Sequence, residues 1–157
     1  MCIRDSPTDT ALPSVTYGNQ ATPLIFKNGN TTSFQLLSYA GALQSLSFDM
    51  GNSLVYRELV GGTKEVLLTD RAASGSVSIE APTIAQKDYF AAALTDTSLG
   101  NIQVTHGTTA GNICKFSSAK VDIGDVTYGE MDGVNMLEIP YTLVPSSAND
   151  ELTFLYT

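Results

Sequence analysis

The sequence contains no tryptophan, one histidine and two cysteines among 157 residues. Cys2 and Cys114 stand too far apart for metal-ligand spacing and form no disulfide framework. His106 alone leaves no room for a multi-histidine metal site. Charge is scarce too: Asp, Glu, Lys and Arg together are 15% of the chain, with 8 basic residues against 16 acidic ones and a net charge of −8. So few cations make a poor reader of duplex DNA or RNA, because phosphate neutralisation needs clustered Lys and Arg. No apolar run approaches the ~20 residues of a membrane span. Residues 1–30 lack the basic start and apolar core of a secretory signal. No phosphate loop, dinucleotide fingerprint or Gly-x-Ser-x-Gly elbow occurs. The expectation is a chain that is not an enzyme and carries no cofactor or metal.

What is present points to a packed β domain. Hydrophobic residues make up 43% of the chain, too many for disorder. The low charge is made up by Ser, Thr, Asn and Gly, a mix that suits short strands and turns. The opening string Met1-Cys2-Ile3-Arg4-Asp5-Ser6 looks like a translated sequencing-adapter end, and we set residues 1–6 aside as a processing scar. Removing it takes away Arg4 and Asp5 together, so the net charge is unchanged. A scar fused to coding sequence leaves room for a longer natural protein of which 7–157, a single domain, is the C-terminal part.

Strand signals follow one another along the chain: Ser14 to Tyr17, Pro23 to Lys27, Thr31 to Tyr39 and Leu43 to Met50. In the last of these, Leu46, Phe48 and Met50 share one face, and Ser45, Ser47 and Asp49 the other. Gly51-Asn52 has the composition of a two-residue hairpin turn, with Ser53 to Val60 as the return strand. Glu65 to Thr69 is short. Ser74 to Ala81 has a clear period of two, with Ser76, Ser78 and Glu80 opposite Val77 and Ile79. One helix over 83–95 is expected from a Thr83/Gln86 capping box and an Ala-rich run, its buried face carrying Ile84, Phe90, Ala91 and Leu94. Strands resume at Asn101 to His106, Asn112 to Ser117 and Lys120 to Tyr128, with a candidate bulge at Gly124-Asp125. Asn135 to Val144 points Leu137, Ile139, Tyr141 and Leu143 inward, and Pro140 suggests an edge strand or bulge. Glu151 to Tyr156 closes the pattern. About ten short strands and one flanking helix give a mainly β fold, a β-sandwich or flattened barrel.

Each chemically suggestive residue also has a plainer reading. Asp122, Asp125, Glu130 and Asp132 cluster but match no calcium-loop spacing, and a solvated acidic face is the better reading. His106 has no nucleophile with a recognisable motif beside it, so it reads as a strand-end histidine. Cys114, between Ile113 and Phe116, reads as a small buried hydrophobe. Asn30-Thr31-Thr32 matches a glycosylation sequon, which the missing signal discounts. Asp70-Arg71 follows a strand end and fits an ion pair, a turn or an inter-subunit contact equally well.

Two stretches carry a resemblance. One runs from Ser47-Phe48-Asp49-Met50-Gly51-Asn52 through Val55-Tyr56-Arg57-Glu58-Leu59 and Thr69-Asp70-Arg71 to Gly75-Ser76-Val77-Ser78-Ile79-Glu80-Ala81-Pro82 and the segment after it. The other is Leu137-Glu138-Ile139-Pro140-Tyr141-Thr142-Leu143-Val144-Pro145-Ser146-Ser147 with Asp150-Glu151-Leu152-Thr153-Phe154. Together they resemble the major tail tube proteins of long-tailed bacteriophages, over about residues 13–157, through the order of the motifs rather than any single one. The resemblance implies a virion structural subunit, related to the inner tubes of contractile tails and type VI secretion. Its expected partners are further copies in stacked hexameric rings, a tape-measure protein, other tail proteins and passing DNA, with no membrane insertion of its own. Its expected place is the virion tail, after assembly in the bacterial cytoplasm. On that reading the candidate lumen-facing residues are Ser45, Ser47, Asp49, Ser76, Ser78 and Glu80, and an acidic lumen would repel DNA phosphates. An immunoglobulin-like or carbohydrate-binding sandwich on a virion or cell surface is the alternative. A small hydrolase on a β scaffold is a third reading, without a catalytic constellation to support it.

Overall fold

The computed structural model describes residues 22–62, 64–95, 99–147 and 150–157. Residues 1–6 and the strand expected at Ser14 to Tyr17 lie outside these. The fold is mainly β, and the described residues form ten strands and one short helix: β1 (Thr31–Leu36), β2 (Leu43–Asp49), β3 (Asn52–Glu58), β4 (Lys64–Arg71), β5 (Ser74–Glu80), α1 (Tyr89–Ala93), β6 (Gly100–His106), β7 (Cys114–Ile123), β8 (Thr127–Met131), β9 (Val134–Leu143) and β10 (Thr153–Tyr156).

Eight strands form one antiparallel sheet along the path β1-β6-β7-β9-β5-β2, with β8 beside β9 and β10 beside β7. The two long strands, β7 and β9, make this possible by sharing one edge between two partners. On β7, Cys114 to Ser117 take β10 and Val121 to Ile123 take β9. On β9, Val134 to Glu138 take β8 and Tyr141 to Leu143 take β7.

The sheet curls over its apolar face. Phe48 on β2 lies 4.9 Å, ring to ring, from Phe116 on β7, although β5 and β9 stand between those strands in the path. Phe154 of β10 touches both rings. The enclosed core takes Leu36 from β1, Val77 and Ile79 from β5, Ile102 from β6, Val121 and Ile123 from β7, and Leu137, Ile139, Tyr141 and Leu143 from β9. Burying an Ile or Leu fully contributes about 1.5–3 kcal/mol, and Leu36, Ile79, Ile102 and Ile139 are fully enclosed. Tyr141 crosses to β2, where its hydroxyl donates to Ser47 O at 2.8 Å. The crossing needs the absent side chain at Gly75: a Cβ there would lie 2.1 Å from Ser47 O and 2.7 Å from the Tyr141 hydroxyl.

Several local expectations are corrected. Pro23 to Lys27 is not a strand. Lys27 O accepts the amides of Asn30 and Thr31, and the Asn30 side chain donates to Ile25 O, so this segment folds on itself. Helix α1 starts at Tyr89, not at 83. The Gln86 side chain does reach back to Thr83 N, but the Thr83 hydroxyl bonds that same side chain and caps no amide. One turn closes, and a new start follows at Asp88, whose carboxylate accepts from Ala91 N at 2.9 Å. The buried helix residue is Tyr89; Ile84, Ala91 and Leu94 are exposed. Gly51-Asn52 does not reverse the chain. A two-residue hairpin of type I′ needs φ > 0 at both positions, and Gly51 has φ +57 while Asn52 is extended in β3. The reversal falls at Leu59 to Gly62, where Gly62 N donates to Leu59 O.

Asn112 to Ser117 and Lys120 to Tyr128 are not two strands divided at 118–119; the break comes after Ile123. Pro140 sits on an interior strand. Its carbonyl accepts from Gly124 N, so its missing N–H faces the change-over between β8 and β7, where no ladder donor is needed.

Candidate functional site

Three surfaces stand out: a polar sheet face, a projecting hairpin and the joint between them. The six residues named as lumen candidates converge on the first. On the face of β2 and β5 turned away from the core, Ser45 lies opposite Ser78, Ser47 opposite Ser76, and Asp49 opposite Ser74. β9 extends the face, with Glu138 opposite Ser78 and Thr142 opposite Ser74. Glu80 follows Ser78 on β5 by strand alternation. The hydroxyls are joined to one another: Ser47 Oγ lies 2.8 Å from Ser76 Oγ, and Ser78 Oγ donates to Gln44 Oε1 at 2.7 Å. Every charged residue on β2, β5, β8 and β9 is acidic, namely Asp49, Glu80, Glu130 and Glu138.

The second surface is the two-stranded sheet of β3 and β4. These strands pair with each other and pack on no other element to a comparable extent. Leu54 lies opposite Leu68 and Tyr56 opposite Val66, so all four share one face. They are 67%, 52%, 60% and 64% exposed. Val55 and Leu67 pair on the other face. Nearer the tip, Arg57 pairs with Glu65, and Lys64 Nζ lies 2.6 Å from Glu58. Hydrogen bonds from Lys64 and from the Tyr56 hydroxyl hold the Glu58 carboxyl below its ordinary pKa. A lone two-stranded hairpin is marginal in water, and one apolar on both faces is an interaction surface.

The third is the joint. Asp49 pairs with Ser74, and Asn52 pairs with Arg71. Moving three residues along one strand therefore matches three residues back along the other, so the register carries across the joint from β2–β5 to β3–β4, and it slips by one residue only farther out, between Ser53 and Leu54 in the arm and between Leu43 and Ser45 in the body. At the joint itself the ladder is interrupted at Met50-Gly51 opposite Ala72-Ala73. Gly51 takes a left-handed φ, its amide donates to Asp49 Oδ1, and a Cβ there would lie 2.4 Å from Ala72 O. Beside the joint, Arg71 Nε forms an ion pair with Glu151, and Asp70 Oδ1 accepts the Arg71 amide. Glu151 is a partner that the reading of Asp70-Arg71 did not name.

The remaining candidates have structural surroundings. His106 Nε2 donates to Leu24 O and its Nδ1 accepts from the Thr31 hydroxyl, both at 3.1 Å, so the ring ties the segment before β1 to β6. Cys114 is half-buried at the start of β7. Asp122 is on β7 and Glu130 on β8, whereas Asp125 is in the link between them, not on a strand. Asp132 (φ +52) and Gly133 (φ +82) form the β8–β9 turn. Among the described residues no group of three or more His, Cys, Asp or Glu is placed to hold a metal ion, and no helix is long and apolar enough to cross a membrane. Burial pushes the Tyr89 and Tyr141 hydroxyls well above the ordinary tyrosine range.

Reading the residues alone missed the projecting hairpin. Its signal was present: Leu54-Val55-Tyr56 and Val66-Leu67-Leu68 are consecutive apolar triplets, which give a strand two apolar faces. Glu151 carried no local signal.

No protein-family model matches the chain, and no curated protein does. Among solved structures it is similar to a chain from the tail of an empty GTA particle, computed with helical refinement and C6 symmetry. That likeness has 20% sequence identity and a TM-score of 0.42, over 74% of this chain and 83% of that one.

Proposed function

We propose that the chain is a structural subunit of a phage-type tail tube, self-assembling into stacked hexameric rings that conduct DNA. The observation that carries this reading is the β3–β4 hairpin, which exposes apolar residues on both faces and, among the described residues, packs on no other element to a comparable extent. Such a surface raises the solubility cost of a free subunit, and association removes it from water. Free strand edges support the reading. Among the described residues β1 and β2 end the sheet path, and β8 and β10 each pair along one edge; exposed edges are templates for pairing between chains.

The ring number, the tape-measure partner and the place in the virion tail come from the sequence resemblance. The lumen assignment rests on the hydroxyl-rich face of β2, β5 and β9, whose only charges are acidic. A wall of that kind presents no cation for phosphates to hold. Electron microscopy of the purified protein tests the reading directly. Rings or tubes of constant bore are expected. Strictly monomeric protein at the highest soluble concentration overturns it.

A further inference from the structure

We infer that the Arg71–Glu151 ion pair is a positioning device that sets the angle at which the β3–β4 arm leaves the body, ready for a second copy. The inference rests on the reading of the hairpin as an assembly arm.

The arm is tied to the body by two chain segments, Met50-Gly51 and Ala72-Ala73, where the ladder is interrupted. A ribbon whose ladder is broken at that point bends there more readily than within its paired segments. Arg71 is the last residue of β4, next to that joint, so a contact made by its side chain acts at the pivot. Glu151 is held firmly on the body side. Two residues on, Thr153 pairs with Ser117 of β7. One residue before it, Asp150 accepts the amides of Ser146 and Ser147 at 2.8 and 2.9 Å.

Glu151 is 6% exposed, and its Oε2 has no hydrogen-bond partner among the described residues. Burying a carboxylate with half of its acceptor capacity unused is unfavourable for folding. A side chain retained there at a cost to stability fits a positioning role. The pair also borders a cavity of about 500 Å³ beneath the arm, lined among others by Leu68, Asp70, Leu143 and Pro145.

An arm of this length is about 20 Å long, and a 30° turn at its base moves the tip about 10 Å. Nitroxide labels at Val60→Cys in the arm and Glu138→Cys on the body, with Cys2 and Cys114 replaced by Ser, report that motion by pulsed electron spin resonance on the unassembled subunit. The parent is expected to give one narrow distance. Glu151→Gln is expected to give a distribution several-fold broader and a critical concentration for assembly at least tenfold higher. If Glu151→Gln does not fold, Glu151→Leu removes the buried carboxylate and asks the same question. Identical narrow distributions in parent and variant overturn the inference, as does a broad distribution in the parent. Because the distance is read on single subunits, a chain that never assembles refutes the tube reading while leaving the arm's behaviour separately decided.

Discussion

The two halves of one ribbon make the most informative comparison in this molecule. β2 with β5 and β3 with β4 belong to the same two chain segments and meet in register at the joint, yet they follow different rules. In β5, Val77 and Ile79 are buried while Ser76, Ser78 and Glu80 turn outward. Past Gly51 the alternation stops, and Leu54, Val55 and Tyr56 follow one another. Polar residues on one face are selected where the chain itself covers the other. Apolar residues on both faces serve a strand whose cover comes from elsewhere. The change of pattern at Gly51 thus marks where the subunit's own core ends.

If the comparison is right, the same truncation has opposite consequences in the two halves. Ile79→Ala, in the body, is expected to cost about 2–5 kcal/mol of folding stability, measured by urea unfolding. Gly75→Ala places a methyl group against Ser47 O and Tyr141, and overpacking of this kind costs about 1–3 kcal/mol; loss of the Tyr141–Ser47 contact is visible in near-ultraviolet circular dichroism. Val66→Ala together with Leu54→Ala, in the arm, is expected to change monomer stability by less than about 1 kcal/mol. The same pair raises the critical concentration for assembly at least tenfold in sedimentation experiments. Equal stability losses in arm and body would erase the distinction between them.

Two smaller effects sharpen the picture away from the ribbon. Leu37 (φ 49) and Ser38 (φ 65) form a tight turn closed by Leu36 and Tyr39, in a left-handed conformation that side chains oppose by about 1–2 kcal/mol per residue. Ser38→Gly is therefore expected to stabilise the fold by about 0.5–1 kcal/mol, read as a higher melting temperature. Asp150, whose carboxyl is held below its ordinary value of 3.8 chiefly by the Ser147 amide, is the mildest case. A lowered folded pKa means the turn is favoured above the unfolded value and loses that support as pH falls through the folded one. The Ser146 and Ser147 amide resonances should shift together with a midpoint below 3.8; a midpoint at or above it removes the turn as the cause.

The parts of the fold legible in the sequence are those governed by the subunit's own core. Ser74 to Ala81 and Leu137 to Leu143 alternate because one face is buried, and both are strands as expected. The six residues assigned to one polar face do lie on one face, for the same reason. Turns were less legible, because composition does not settle backbone angles. Gly51-Asn52 has hairpin chemistry but continues the ribbon, while Asp132-Gly133 has φ > 0 at both residues and joins β8 to β9. The Leu37-Ser38 turn has no sequence signature, since tertiary contacts impose it. Leu37 N donates to Asn101 O, and Leu37 O accepts from Lys87 Nζ. Glu151 was invisible for the same reason: its importance depends on Arg71, which the fold brings to it from far along the chain.

That separation bears on synthesis. Arg71 leaves the ribosome five strands and a helix ahead of Glu151. At about 5–20 residues per second the gap lasts on the order of ten seconds. Throughout it the two strands of the hairpin are already synthesised, while the contact that orients them does not yet exist. β7 meanwhile waits with half of one edge open for β10. A nascent chain thus displays its adhesive segment early and aims it late, so neighbouring chains on one messenger meet arms that do not yet point anywhere in particular.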